Sequence, residues 1–488
     1  MQMPQYRVVI GLETHIQLNT TTKLFCSCKN EYTPTNPNSN ICEFCTGQPG
    51  ALPLLNQAAV QKAIILGVAL GSTIPQVTRW DRKNYFYPDL PSGYQISQYD
   101  HPIVQGGAIE FYIENRENGS FEPSSVQITR AHLESDAAKL IHAGGKTMVD
   151  FNRSGCPLIE IVTEPVIHTK EQAMAYVSEM QLLVRTLNIS DADMEKGQMR
   201  FDCNISLQNE DEQASNILPK YRSEIKNINS VRALGRAIEY EMIRQKELLD
   251  TGILPDQETR GWDDDKGIST SQRSKEDAMD YRYFPEPDIL PLVITQADIK
   301  NLSAIPTLPS KRRQSYLDKG LSMQTANIFV ERNEVGTVFD EAATGKKGDT
   351  IKTIANIVSG NLLSLHEQYP EKPFGKLVKV SDIAALAELF EQDKINNKAL
   401  TTALEQLSQN PDSSLETILQ QHSLLQVNDD TVLQAFVDAV ISSNPEPVAE
   451  FRAGKEQVIG FLVGLCMKES HGKGNPQKFG ELLKQTLS

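Results

Sequence analysis

"VVIGLETHIQL", residues 8–18, decides how the first half of the chain is read. At a period of two, Val8, Ile10, Leu12, Thr14, Ile16 and Leu18 share one side, and Val9, Gly11, Glu13, His15 and Gln17 the other. Alternation of this kind marks a strand that lays one face on a core. The second side sets a carboxylate, an imidazole and an amide in a row, a choice that exposure to water does not require.

The same oddity recurs along the chain. "MRFDCNISL" (199–207) sends Met199, Phe201, Cys203, Ile205 and Leu207 one way and Arg200, Asp202, Asn204 and Ser206 the other. "VQITRAHLESD" (126–136) puts Arg130, His132 and Glu134 on one side, and "SEIKNINS" (223–230) sets Glu224 beside Lys226. "DRKNYFYPD" (81–89) supplies Lys83 with Tyr85 and Tyr87. Any one such face could simply be solvated. Solvation favours Lys, Glu and Thr, however, and has no use for Glu-x-His or Asp-x-Asn. Carboxylates converging from several strands repel one another and rise in pKa unless a cation offsets them. Mg²⁺ takes oxygen ligands and sits between carboxylates and phosphates. Lys83, Arg200 and Lys226, with Asn204, would then face phosphate oxygens. The constellation predicts Mg–ATP chemistry on a sheet. "GGKT" (144–147) imitates the end of a phosphate-binding loop, but Leu140 stands where that motif needs Gly, so it reads as a turn.

Cys26 and Cys28, then Cys42 and Cys45, form two close pairs in a chain with seven cysteines. Four thiolates in that pattern suit a closed, structural Zn²⁺ site. Cys156, Cys203 and Cys466 are isolated among apolar or small residues and read as buried thiols.

The 488 residues allow two or three domains, and 39% hydrophobic with 23% charged residues is the balance of a soluble globular protein. A net charge of −15 repels nucleic acid and anionic membranes at long range, so a nucleic-acid partner must meet a local basic surface. No charged leader precedes an apolar block, and "VIGFLVGLCM" (458–467) is too short to span a bilayer. The expectation is a cytoplasmic protein with no membrane partner. Strand-like runs, with helices at 171–187 and 231–249, continue to about residue 295, where "YFPEPDILPLV" and "IPTLPSKRR" suggest a boundary. Beyond it the pattern is helical: Ile383, Leu386 and Phe390 follow a possible cap at Ser381, and Val432, Phe436 and Val440 recur at helical spacing. "NPDSS" (410–414) reads as a second linker. The expected fold is α+β with a mainly antiparallel sheet in 1–294, carrying a zinc-binding insertion at 26–45. An all-α domain follows over 295–410 and a small helical tail over 411–488.

"VIGLETHIQL", "DRKNYFYPDLPSGYQISQYD", "NRSGCPLIEIVTEP", "MRFDCNISL", "EIKNINS" and "DYRYFPEPDILPL" closely resemble the B subunit of the bacterial aspartyl/glutamyl-tRNA amidotransferases, and the likeness runs to "GFLVGLCMK" and "NPQ" near the end. The resemblance implies a glutamine synthetase-like catalytic domain and a heterotrimer with a glutaminase, the A subunit, and a small C subunit. The A subunit releases ammonia, which reaches the B subunit through a channel. The B subunit uses ATP to phosphorylate the side-chain carboxylate of Glu-tRNA(Gln), and in many bacteria Asp-tRNA(Asn), and ammonia then displaces phosphate. The helical and tail domains engage the tRNA. By matching motif, Glu13, His15 and Glu134 become magnesium-site residues, Lys83 a phosphate contact, and Asp202 and Glu224 further members of the basin. The family often carries two acids in the "HLE" segment; here the second place is Ser135, with Asp136 after it. A nucleophilic role for Cys156 is not supported, because relatives carry other residues there.

The tail adds Arg452, Lys455, Lys468, Lys473, Lys478 and Lys484 against Glu456, Glu469 and Glu481, a locally basic surface suited to tRNA; "SKRR" (310–313) is a second candidate. Two other readings compete. A non-catalytic, zinc-stabilised tRNA-binding scaffold would have no reason to gather Glu13, His15, Glu134 and Asp202. A stand-alone small-molecule ligase would not need the helical appendage.

Overall fold

The computed structural model describes residues 6–31, 36–115, 118–274, 280–427, 429–470 and 473–487. The chain forms two compact units, Met1–Lys311 and Arg312–Ser488.

Among the described residues, the first unit is built on a nine-stranded sheet. Its strands are β1 (Arg7–Gln17), β2 (Val104–Gln105), β3 (Ala108–Glu114), β4 (Phe121–Ser135), β5 (Pro157–Thr163), β6 (Met199–Gln208), β7 (Ser223–Ile228), β8 (Glu258–Asp263) and β9 (Ile268–Ser274). The order is β9-β8-β7-β6-β1-β5-β4-β2, with β3 also on β4. Every ladder is antiparallel except β7 with β8.

The two-residue period of β1 is realised. Val8, Ile10, Leu12, Thr14 and Ile16 are buried, whereas Gly11, Glu13 and His15 keep partial exposure; Val9 and Gln17, expected on that second side, are buried as well. Helices α1 (Gln57–Ala69), α2 (Lys170–Thr186) and α3 (Val231–Asp250) cover the apolar side. Thr169 caps α2 through Gln172 N, and Ser230 caps α3 through Ala233 N, which fixes where each helix starts. Tyr176 and Val177 of α2 and Leu234 and Ile238 of α3 join β1 and β6 side chains in one apolar core. The opposite face of the sheet stays polar and holds the site. Strands Asp81–Asn84 and Tyr94–Ser97 pair with each other, and Asp81–Asn84 with Phe284–Pro285, in a small separate sheet. "GGKT" is the tight turn of a hairpin joining Lys139–Ala143 to Lys146–Asp150, with Gly144 and Gly145 both at positive φ. Cys156, Cys203 and Cys466 are buried.

The second unit is helical. Helix Val380–Glu391 buries Ile383 and Leu386 and half-buries Phe390. It begins two residues earlier than the spacing suggested. Lys379 is the cap, its carbonyl accepting from Asp382 N and Ile383 N, and Ser381 lies inside the first turn. In helix Asp430–Ser443 the buried positions are Leu433, Val437 and Val440; Phe436 is half-buried and Val432 exposed. Helices Val458–Glu469 and Pro476–Leu487 pack on that side and turn the apolar face by one position from the expected one. Val458–Glu469 carries the longest apolar run, and no helix among the described residues is long and apolar enough to cross a membrane. The "SKRR" segment is no free basic patch. Arg312 pairs with Asp340 at 2.9 Å, and Arg313 is buried against Asn327 at 2.7 Å.

Candidate active site

Strand register gathers the polar residues. Straight across the sheet, His132 of β4 faces Glu160 of β5, Glu160 faces His15 of β1, and His15 faces Arg200 of β6. One pleat along, Glu13 faces Asp202, and beyond it Asn204 faces Glu224. Side chains opposite one another on neighbouring strands stand within contact distance. Two adjacent clusters result.

In the first, His15 Nε2 lies 3.3 Å from Glu160 Oε2 and 3.9 Å from Glu134 Oε1. His132 Nε2 lies 3.6 Å from Glu160 and 3.9 Å from Glu134. Among the described residues, the Nδ1 atoms of both histidines are buried without a hydrogen-bond partner. One ligand atom each from His15, Glu134 and Glu160 falls within 4.8 Å of the others, a donor set that fits a divalent cation. Burial pulls the His15 imidazolium down, but Glu160 and Glu134 outweigh it and raise its pKa. For His132 burial wins, and its pKa falls. Burial pushes Glu160 up, yet His132, His15 and Lys83 hold it well below the usual carboxylate range.

The second cluster is Glu13, Asp202 and Glu224, again with ligand atoms within 4.8 Å. Lys226 Nζ bridges Asp202 at 2.7 Å and Glu224 at 2.8 Å. Asn204 Nδ2 donates to Glu13 Oε1 at 3.0 Å. Burial, then the charges of Glu160, Glu224 and Asp202, raise the Glu13 pKa. Among those charges Glu160, of the first cluster, acts most strongly on Glu13. A cleft of about 430 Å³ opens beside Glu13, lined by Asn204, Ser206, Lys220, Tyr221, Arg222 and Gln257 among others.

The basic residues are held in place. Lys83, from the small sheet, sits 4.9 Å above the Tyr281 ring. Burial lowers the pKa of its ammonium, but Glu134, Tyr283 and Glu160 more than reverse that. Tyr85 lies edge-on to Tyr281 beside it, and Tyr87 is exposed. Arg200 Nη2 donates to buried Asp136 Oδ1 at 2.9 Å, and Gln17 Nε2 donates to Asp136 Oδ2 at 2.8 Å. Burial raises Asp136, but Arg200 and Arg153 hold its carboxyl below the ordinary value.

The expected set is thus divided. His15 and Glu134 share a cluster, whereas Glu13 belongs with Asp202 and Glu224, because two residues along a strand step to the next pleat. The first cluster's missing carboxylate is Glu160, which the sequence reading passed over. Its only signal is a lone acid inside the apolar strand "PLIEIVT". Asp136, noted only as a neighbouring acid, anchors Arg200. Lys220 and Arg222 were also missed.

The four cysteines form a third constellation. Cys45 Sγ lies 3.5 Å from Cys26, 3.7 Å from Cys42 and 3.8 Å from Cys28. Four sulfurs about 2.3 Å from one Zn²⁺ stand about 3.8 Å apart along the edges of the tetrahedron, so the spacing fits a tetrathiolate site and is far too long for disulfides. Part of the connecting segment, residues 32–35, lies outside the described residues.

A family model described as the GatB/GatE catalytic domain matches residues 8–300, and one described as the GatB domain matches 337–487. The chain belongs to the GatB/GatE family. Proteins named as the B subunit of aspartyl/glutamyl-tRNA(Asn/Gln) amidotransferase match it along its whole length. That of Carboxydothermus hydrogenoformans is 39% identical over 493 residues, with 100% of both chains covered. That of Anaeromyxobacter sp. is 38% identical over 499 residues, again with 100% of both covered. That of Picosynechococcus sp. is 38% identical over 495 residues, with 99% of this chain and 98% of the relative covered. In this GatB/GatE chain both carboxylate clusters, Lys83 and Arg200 fall within the segment matched as the catalytic domain.

Proposed function

We propose that this chain is the component of a tRNA-dependent amidotransferase that activates the side-chain carboxylate of Glu-tRNA(Gln), Asp-tRNA(Asn) or both with ATP, and amidates it with ammonia from a glutaminase partner. The observation that carries this reading is the convergence of two carboxylate clusters and anchored cations on one sheet face, inside the segment matched as a catalytic domain. The domain is taken as 1–294 with a glutamine synthetase-like sheet; 295–410 and 411–488 are the helical and tRNA-binding tail domains. The glutaminase and a small third protein complete a cytoplasmic heterotrimer.

Phosphoryl transfer to a carboxylate asks mainly for alignment and neutralised charge. When bound, Mg²⁺ supplies that neutralisation between the nucleotide phosphates and the carboxylates; His15, Glu134 and Glu160 would hold one ion, and Glu13, Asp202 and Glu224 a second. Lys83 would meet phosphate oxygens from one side. Arg200 would do so from β6, its guanidinium kept in place by Asp136. Asn204 and Lys226 would act through their contacts with Glu13, Asp202 and Glu224. A substrate carboxylate oxygen bonds to the γ-phosphorus and ADP leaves. Ammonia nitrogen then bonds to the acyl carbon, phosphate leaves with that oxygen, and the excess proton passes to solvent or base. Tyr85, Tyr281 and Tyr283 beside Lys83 would keep water from the acyl phosphate. The four-cysteine site would hold structural Zn²⁺.

A tRNA-binding scaffold without chemistry leaves both carboxylate clusters without a purpose. Reconstitution with the partner proteins separates the readings. Glu13→Ala should abolish ATP-dependent amidation of misacylated tRNA while glutamine hydrolysis remains measurable; full amidation by that variant would remove Glu13 from the site.

A further inference from the structure

Lys23 is fully buried, a rare position for a side chain that carries charge. Its ammonium makes three contacts: Asn40 O at 3.1 Å, Cys45 Sγ at 3.3 Å and Phe151 O at 3.4 Å. Among the described residues no carboxylate pairs with it. Two backbone carbonyls satisfy its hydrogens but supply no countercharge, and an isolated buried ammonium is strongly unfavourable. The remaining contact is the cluster. Four thiolates around one divalent metal carry two excess negative charges, and one buried cation halves that excess. The sulfur it touches is also the innermost of the four: Cys45 is buried, whereas Cys26, Cys28 and Cys42 are partly exposed.

The neighbouring groups converge on the same spot. Ser154 Oγ donates to Cys45 O at 3.1 Å, and Asn152 Oδ1 accepts from Asn40 N at 2.9 Å. Leu24 N donates to Gly155 O at 2.9 Å. Lys23 thus joins three segments: the turn bearing Asn40, the knuckle bearing Cys45 and the loop 151–156.

We propose that Lys23 is the built-in counter-charge and N–H···S donor of the four-cysteine metal site, and that it sets how tightly the site holds Zn²⁺. This rests on the reading of the cluster as a metal site. Hydrogen bonds to metal ligands tune affinity without touching the ion. The Lys23 ammonium would draw electron density from Cys45 and stabilise the charged, metal-bound cluster over the empty one.

The test uses the full-length chain, wild type and Lys23→Met, which keeps most of the stem and removes the charge. Zn²⁺ affinity is measured by competition with a chromogenic chelator, and Lys23→Met should bind about 10- to 100-fold more weakly. With Co²⁺ in place of zinc, the thiolate-to-cobalt absorption should move to longer wavelength in Lys23→Met, because the sulfur has lost its donor. Thermal unfolding with and without zinc guards against a simple folding defect. Lys23→Met should gain less stability from added zinc than wild type does, whatever its stability with the metal removed. Unchanged zinc affinity and an unchanged cobalt spectrum would overturn the role of Lys23 alone. A wild-type chain that binds neither Zn²⁺ nor Co²⁺ would overturn the metal reading and the proposal with it.

Discussion

Glu160→Gln is the perturbation that bears most directly on the geometry. The carboxylate is buried, 3.3 Å from His15 Nε2 and 3.6 Å from His132 Nε2, and it helps hold the Lys83 ammonium charged. Gln keeps the volume and removes the charge. At about 3.3 Å and an effective dielectric near 20, a full ion pair is worth about 5 kcal/mol before desolvation is subtracted, so the electrostatics of the cluster change substantially. His15 would lose the larger of the two carboxylate interactions that raise its pKa. A Mg²⁺ bound there would lose one of its two carboxylates. Removing one electrostatic stabiliser of a developing charge typically costs about 10²–10³ in rate, or about 2.7–4 kcal/mol. The assay is ATP-dependent amide formation on misacylated tRNA with the partner proteins present, with glutamine hydrolysis as the internal control. Glu164→Gln, at an exposed bond to Thr129 Oγ1, should leave the rate unchanged. A Glu160→Gln enzyme as fast as wild type would refute the reasoning, because among the described residues Glu160 alone is in strand register with both histidines, Glu134 standing farther off at 3.9 Å from each.

Other outcomes follow from the same contacts. Asp136→Asn should destabilise the fold by about 1.5–3 kcal/mol at neutral pH, the range for a hydrogen bond to a charged group. The Asp136 pKa is lower in the folded chain, so its contribution is present above the unfolded value near 3.9 and is lost as pH falls through the folded one. Denaturant titrations of both proteins should therefore converge in acid, and a gap that persists there would contradict the Asp136–Arg200 assignment. In the tail, Lys468, Lys473 and Lys484 are exposed; Lys478 and Lys455 lie in ion pairs with Asp430 and Glu450. Replacing the first three by Ala should lower the salt dependence of tRNA binding by about one unit of slope for each lost phosphate contact; an unchanged slope would remove the tail from the interface.

Much of this was legible in the sequence because alternation reports which side of a strand meets a core. The polar faces of β1 and β6 came directly from that period, and the cysteine pairs from their spacing. What the sequence hides is register. Whether Glu13 or Glu160 joins His15 depends on how β1 lies against β5, and no local pattern carries that. Glu160 sits in a strand whose neighbours are all apolar, so it reads as part of a core. Lys23 was invisible for a similar reason: a lysine between threonine and leucine reads as surface, and only the fold turns it onto Cys45. The cap fell two residues before Ser381, and the apolar face of helix Asp430–Ser443 turned by one position, onto Leu433 and Val437, where the neighbouring helices pack. At "SKRR" the charges were right, but Arg312 and Arg313 turned inward to Asp340 and Asn327.

The central claim is that the polar face of this sheet supports transfer of a phosphoryl group to the carboxylate of a tRNA-borne amino acid. Labelling both side-chain carboxylate oxygens of that amino acid with ¹⁸O and weighing the inorganic phosphate released during amidation tests it directly. The account predicts one labelled oxygen in the phosphate for each amide formed, abolished together with the amide in Glu13→Ala. Unlabelled phosphate accompanying full amide formation would contradict it.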